Sequence, residues 1–237
     1  MSLELSKRKR LLLQDRLVTP FTYQANQKNV TVGKPKKSNY LAAKPNTSMW
    51  RFRDSYTKSD FPIQIEFLPG CQKLAWKVEI ERLDFFYYLP LFFEGIGEVV
   101  FPFDFLARQS VHDMLQHGGA RVVPVLGQLI VPISKALRSK QTAAMASMLL
   151  TLQDLATCHP NVGPNLVPYF RQILPTFSMF KDRNLNLGDR IEYGQRKRLN
   201  VADLMQETLE ILEKTGGPHA FINIKYMVPT YESAVHN

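Results

Sequence analysis

The chain has 237 residues, 45% apolar and 22% charged, enough to build one sizeable core without disulfides or metal. Its formal charge of +9 is lopsided: thirteen of the 30 Lys/Arg and four of the 21 Asp/Glu fall in residues 1–60, leaving seventeen of each and no net charge over 61–237. Two distant cysteines, Cys71 and Cys158, exclude a disulfide-rich scaffold and fit reduced thiols in the cytoplasm.

Lys7, Arg8, Lys9 and Arg10 are followed only by Leu11-Leu12-Leu13, too short an apolar run for a signal peptide. The longest apolar stretch, Val122–Ile133, is broken by Pro124 and Pro132 and is too short to span a bilayer. A soluble protein is expected. Residues 1–60 show no sustained hydrophobic period after Val18, are interrupted by Pro20, Pro35 and Pro45, and contain the basic run Lys34-Pro35-Lys36-Lys37. Such a segment buries too little apolar surface to offset its ordering entropy, so a disordered basic tail is predicted over 1–60. Phe21, Tyr23, Tyr40, Trp50, Phe52 and Tyr56 are spaced between its charges. That pattern fits a tail folding onto an acidic partner; a plain solubilising tail is the simpler alternative.

From Phe61 the composition changes. Pro62–Phe67 alternates at period two, and Leu74–Val78 is a partner strand across Pro69-Gly70, which predicts a β-hairpin, although Lys73–Asp84 also fits the start of a helix. Helical signals then dominate. Ile80–Tyr88 and Leu91–Glu98 are apolar segments separated at Leu89-Pro90. Ser110–Asp113 is a capping box that opens a short helix stopped by Gly118-Gly119. Met145, Met148, Leu149, Leu152, Leu155 and Ala156 recur at helical spacing. Asn200 caps a last helix with a stripe of Val201, Leu204, Met205, Leu209 and Leu212, ended by Gly216-Gly217; Ala220–Ser233 reads as an extended apolar terminus. Val123–Ile130 resembles Val167–Leu174 at an offset of 44 residues, each copy opening on a proline. That spacing is the length of an armadillo or HEAT repeat, so a mainly α stacked array is the predicted architecture for 61–237, and such arrays present long surfaces to partners.

No catalytic or metal signature is present: no phosphate-binding glycine loop, no His-Glu-x-x-His, no Cys-x-x-Cys. His112 and His117 are five apart and would face different sides of one helix. Cys158-His159 lacks an orienting third group. Neither an enzyme nor a cofactor site is expected. Trp76, flanked by Lys73, Lys77, Glu79 and Glu81, fits either an interface anchor or a partly buried structural ring.

Lys73–Glu81, Tyr88–Phe93, Ala107–Gln109, His112–Leu115 with His117–Gly119, Val167–Tyr169 with Arg171–Pro175, Gln206–Glu210, and Ala220–Tyr226 with Val228–Ser233 run in the order of the parkin co-regulated gene protein family, which the chain resembles over Phe61–Ser233. The resemblance implies an armadillo/HEAT-like α-solenoid in the cytoskeleton of cilia and flagella. The place implied is the inner junction of axonemal doublet microtubules, where the B-tubule closes onto the A-tubule beside a small jelly-roll protein. It further implies contact with α/β-tubulin and, in male germ cells, with a small adaptor protein whose surface maps onto Lys73, Trp76, Glu81 and His117. With tubulin as the acidic partner, the tail candidates are Lys7, Arg8, Lys9, Arg10, Lys34, Lys36, Lys37 and Trp50. A soluble carrier of ciliary cargo and a nucleic-acid binder using the basic tail are the alternatives; the second lacks a recognisable reading module.

Overall fold

The structure is a computed structural model that describes residues 16–27, 30–34, 50–68, 70–182 and 200–235. The chain divides into two compact units, Met1–Ala42 and Ala43–Asn237. In the first, strands β1 (Arg16–Val18) and β2 (Val30–Val32) pair in parallel, with Arg16 opposite Val30, and a 3-10 turn spans Tyr23–Asn26. Thr22 closes the link by donating its hydroxyl to the Thr19 carbonyl at 2.9 Å. Phe21 and Tyr23 remain exposed. These short elements replace part of the tail expected to be disordered.

The second unit begins earlier than the expected boundary at residue 61. Helix α1 (Trp50–Thr57) seats Phe52, with no exposed surface, among Phe61 (5.2 Å between ring centroids), Phe92 (6.3 Å) and Phe103 (6.4 Å). Arg53 forks onto the buried Glu98 carboxylate at 2.7 and 2.6 Å, a charge-assisted pair that fixes the helix in rotation. Residues 50–60 therefore belong to the folded unit, because Phe52 and Tyr56, one turn apart, give a polar segment one apolar face.

Strands β3 (Ile63–Leu68) and β4 (Cys71–Trp76) form the expected antiparallel hairpin, with Ile63 opposite Trp76 and Ile65 opposite Leu74 on its inner face. Helix α2 (Phe85–Gly95) follows a 3-10 turn at Ile80–Arg82 and is capped by Asp84, whose carboxylate accepts from the Phe86 N–H at 2.9 Å. The predicted break at Pro90 does not occur. A proline inside a helix costs ~3 kcal/mol, whereas each buried Leu or Phe returns ~1.5–3 kcal/mol, and Phe85, Leu89, Leu91, Phe92 and Phe93 are all buried. Gly95 lets α1 approach: a Cβ there would meet the Phe52 ring at 2.8 Å.

Helix α3 (Phe103–Gly118) starts two turns before the predicted capping box. Its apolar stripe of Leu106, Ala107, Val111, Met114 and Leu115 already runs through Ser110, which is buried mid-helix rather than capping. The stop falls where glycine allows it, at Gly119 with φ +51°. A 3-10 turn over Gly119–Val125 leads into α4 (Leu126–Arg138), and α5 (Thr142–Thr157) carries the expected methionine–leucine stripe, fully buried. The run Phe103–Arg138 is long and apolar enough to cross a bilayer by composition alone, but most of its apolar residues pack in the core, Val131 being an exposed exception.

The second copy of the proline motif also enters a 3-10 turn (Val167–Tyr169), between α6 (Val162–Leu166) and α7 (Phe170–Ile173). Pro175 then divides the rest into a turn and α8 (Phe177–Phe180). Helix α9 (Val201–Gly216) buries all five residues of its predicted stripe, but Asn200 makes no side-chain cap bond to the helix backbone and reaches Asp203 instead. The terminus is not wholly extended: Ala220–Met227 is helix α10. Beyond it, Tyr231 is fully buried and donates its hydroxyl to Glu213 at 2.7 Å, with Ser233 and the Ala234 N–H bonded to the same carboxylate. Helix α5 packs on α3, α4 and α9; α4 packs on α2 and α7; α10 packs on α7 and α9.

Candidate functional site

A polar edge runs where the hairpin and the Ile80–Arg82 turn meet α3. Trp76, the last residue of β4, is half-buried, with its ring edge-on to Phe92 at 6.1 Å. Its indole N–H donates to Asp113 Oδ2 at 2.8 Å, and the Gln109 amide donates to the other oxygen, Oδ1, at 2.8 Å. The carboxylate thus holds the ring in place from a helix 37 residues further along the chain.

One helical turn beyond Asp113, His117 Nδ1 lies 3.0 Å from Glu81 Oε1. Arg121 donates to the carbonyls of Glu81 and His117, and its guanidinium covers the Phe85 ring at 4.7 Å. Glu81 is held below the usual carboxylate range, first by a hydrogen bond from its own backbone N–H, then by His117 and Arg121. Gln109, Asp113 and His117 recur every four residues on α3 and form one ridge facing the hairpin and the turn, and Arg121, just past the end of the helix, joins that edge through its bonds to Glu81 and His117. Asp113 orients Trp76, and Arg121 ties down the turn that carries Glu81.

Of the four adaptor candidates, Trp76, Glu81 and His117 are therefore contiguous along this ridge. Lys73 is exposed but lies three residues from Trp76 on one strand, hence on the opposite face of the ribbon, in register with Glu66. Among the tail candidates, Lys34 is described and exposed, while Lys7, Arg8, Lys9, Arg10, Lys36 and Lys37 lie outside the described residues. Trp50 opens α1. The sequence reading missed Asp113, Gln109 and Arg121. Their four-residue spacing with His117 was visible, but starting the helix at Ser110 left Gln109 off it.

The other polar groups singled out in the sequence, His112 and the Cys158-His159 pair, have separate partners. His112 contacts Gln116 (2.9 Å) and Asp154 (3.3 Å), apart from His117. Burial pushes the Cys158 thiol up to about 11, and it donates to the Leu155 carbonyl, while His159 Nδ1 accepts from the Asn161 N–H. A thiol protonated at neutral pH and turned away from its histidine is a poor nucleophile. No cluster of three or more His, Cys, Asp or Glu able to hold a metal occurs among the described residues. An open groove of about 680 Å³ between α1, β3 and the start of α3 is lined by Tyr56, Phe61, Ile65, Phe67, Phe101 and Phe103, with no carboxylate, imidazole or thiol in its lining.

Residues 50–233 match the sequence profile of the family described as Parkin co-regulated protein. The match opens at Trp50, where α1 begins. The chain is also 50% identical over 220 residues to the Parkin coregulated gene protein homolog of Mus musculus, covering 92% of this chain and 90% of the mouse protein.

Proposed function

The chain belongs to the Parkin co-regulated protein family, and from that membership we propose that it is a structural, non-catalytic microtubule-binding protein of the doublet inner junction in cilia and flagella. The single observation that carries this reading is the match to the family over residues 50–233. In this reading the helical unit is an armadillo/HEAT-type stack. Two features support that geometry: both proline-led copies enter a 3-10 turn and then a helix, and α4 packs on α7 as α5 packs on α9.

The helical stack acts as a stiff spacer between the A- and B-tubules, abutting tubulin and the small jelly-roll protein. The basic residues of the first unit add adhesion to the acidic tubulin surface. Exposed ion pairs are worth only ~0.2–1 kcal/mol each, so this adhesion depends on many of them and weakens with salt. The ridge of Trp76, Glu81 and His117 is the surface for the germ-cell adaptor, with Asp113 pre-positioning the indole so that little side-chain entropy is lost on docking.

Expression of a tagged chain in a ciliated cell, followed by detergent extraction, tests the reading. The inner-junction role requires the tag to stay with the extracted axoneme along the doublets. A tag released entirely with the soluble fraction favours the cargo-carrier alternative and sets the structural role aside.

A further inference from the structure

Residues 61–237 are neutral in sum, yet their charge is segregated by helix. No Asp or Glu occurs in α4, α6, α7, α8 or α10, or in the 3-10 turns that lead into α4, α7 and α8. These elements carry Arg121, Lys135, Arg138, Arg171 and Lys225 instead, of which Arg121 is tied to the Glu81 and His117 carbonyls. The described carboxylates of this part of the chain lie on α5 and α9 (Asp154, Asp203, Glu207, Glu210 and the buried Glu213) and, off the helices, at Asp182 and Glu232 near Lys181.

Three contacts bring α4, α7 and α10 side by side. Gly127 of α4 faces the Tyr169 hydroxyl, Ser134 donates to the Gln172 carbonyl at 3.1 Å, and α10 packs on α7. Gly127, Val131, Ser134 and Arg138 follow one side of α4, so Val131 and Arg138 border α7, where Arg171 is exposed. Among the described residues, Lys135, Arg138 and Arg171 have no carboxylate partner, and Lys225 is bonded only to the Tyr231 carbonyl, at 2.8 Å. Between α7 and α10 lies a groove of about 390 Å³ lined by Pro168, Phe170, Arg171, Asn223, Tyr226 and Met227. At its rim Tyr226 is 75% exposed, and Ile222 on the same helix is 66% exposed.

We propose that the α4–α7–α10 face docks an extended acidic peptide segment of a partner protein, with carboxylates on Arg138 and Arg171 and one apolar side chain in the groove beside Tyr226. A guanidinium fork matches a carboxylate in two parallel hydrogen bonds, and the groove lining holds no carboxylate to compete for Arg171. The exposed aromatic and aliphatic side chains favour a polypeptide over a nucleic acid. A duplex presents a charge about every 1.7 Å, far more than a few dispersed cations can meet, and offers no side chain to fill the groove. The acidic α5 and α9 repel the same ligand, which orients its approach. This inference needs no microtubule and stands or falls separately from the inner-junction role.

The test uses the full chain and a fluorescein-labelled peptide, Glu-Glu-Glu-Leu-Glu-Glu-Glu, followed by anisotropy at low salt. Arg138→Glu with Arg171→Glu should weaken binding on the order of tenfold, and Tyr226→Ala or a Leu→Gly peptide about threefold. All three protein positions are exposed, so the melting temperature should not move. Carbodiimide coupling should join peptide carboxylates to Lys135 or Lys225. Unchanged affinity in the charge-reversed variant, or adducts confined to the lysines of residues 1–42, would overturn the proposal. An oligonucleotide of equal charge that binds as tightly, with the same loss in the variant, would also overturn it by showing an unselective polyanion surface.

Discussion

Phe52→Ala tests whether the folded unit truly begins at α1. The ring has no exposed surface and touches Phe61 ahead of β3, Phe92 on α2 and Phe103 on α3. Removing a buried phenyl leaves a cavity that such neighbours cannot close, which costs ~3–5 kcal/mol. For a domain of this size each kcal/mol moves the melting temperature by about 2–4 °C, so a fall of roughly 6–20 °C is expected by circular dichroism. Phe21→Ala is the control, because Phe21 is 95% exposed and its loss should leave the melt within about 2 °C of the parent chain. If Phe52→Ala behaves like the control, residues 50–57 lie outside the cooperative unit and the packing argument for α1 fails.

Other predictions concern the ridge and the buried polar groups. Asp113→Ala leaves the Trp76 indole N–H and the Gln109 amide without their acceptor; it should cost about 1–3 kcal/mol and red-shift tryptophan emission, measured in urea titrations. His117→Ala, by contrast, breaks only an exposed contact with Glu81 and should leave stability unchanged while weakening adaptor binding in a pull-down; a destabilised chain would assign His117 to the fold instead. Cys158 is pushed up to about 11 from 9.0 by burial. The folded state keeps this proton where the unfolded chain has lost it, so the stabilisation is full below pH 9 and is lost as pH rises from 9 through 11. In a Cys71→Ser chain at pH 8, Cys158 should react with a disulfide reagent about 100-fold more slowly than in urea, and equal rates would refute its buried, protonated state. Tyr231→Phe removes a donor from buried Glu213 and should cost about 1.5–3 kcal/mol in the same titrations; no loss would mean the terminal segment is not latched there.

Elements with an unbroken period were legible. The hairpin follows from Ile63, Ile65 and Phe67 alternating against Leu74 and Trp76 across Pro69-Gly70, and α5 and α9 follow from their stripes. Pro90 and Ser110 misled because they are local signals overruled by burial: both sit among side chains that the core removes from water. Helix α10 follows Gly217-Pro218 and lacks a capping side-chain bond, so nothing local announced it. The pairing of Trp76 with Asp113 depends on packing between distant segments, which no spacing rule reaches. The charge segregation was hidden for a simpler reason. Equal numbers of acidic and basic residues look neutral until the fold assigns each helix a side.

Co-sedimentation of the purified chain with taxol-stabilised microtubules tests microtubule binding most directly. The account predicts that the full chain pellets with the polymer, that binding falls as salt rises, and that deleting residues 1–42 reduces the pelleted fraction while the remaining unit melts as before. A full chain that stays in the supernatant at low as well as physiological salt would contradict it.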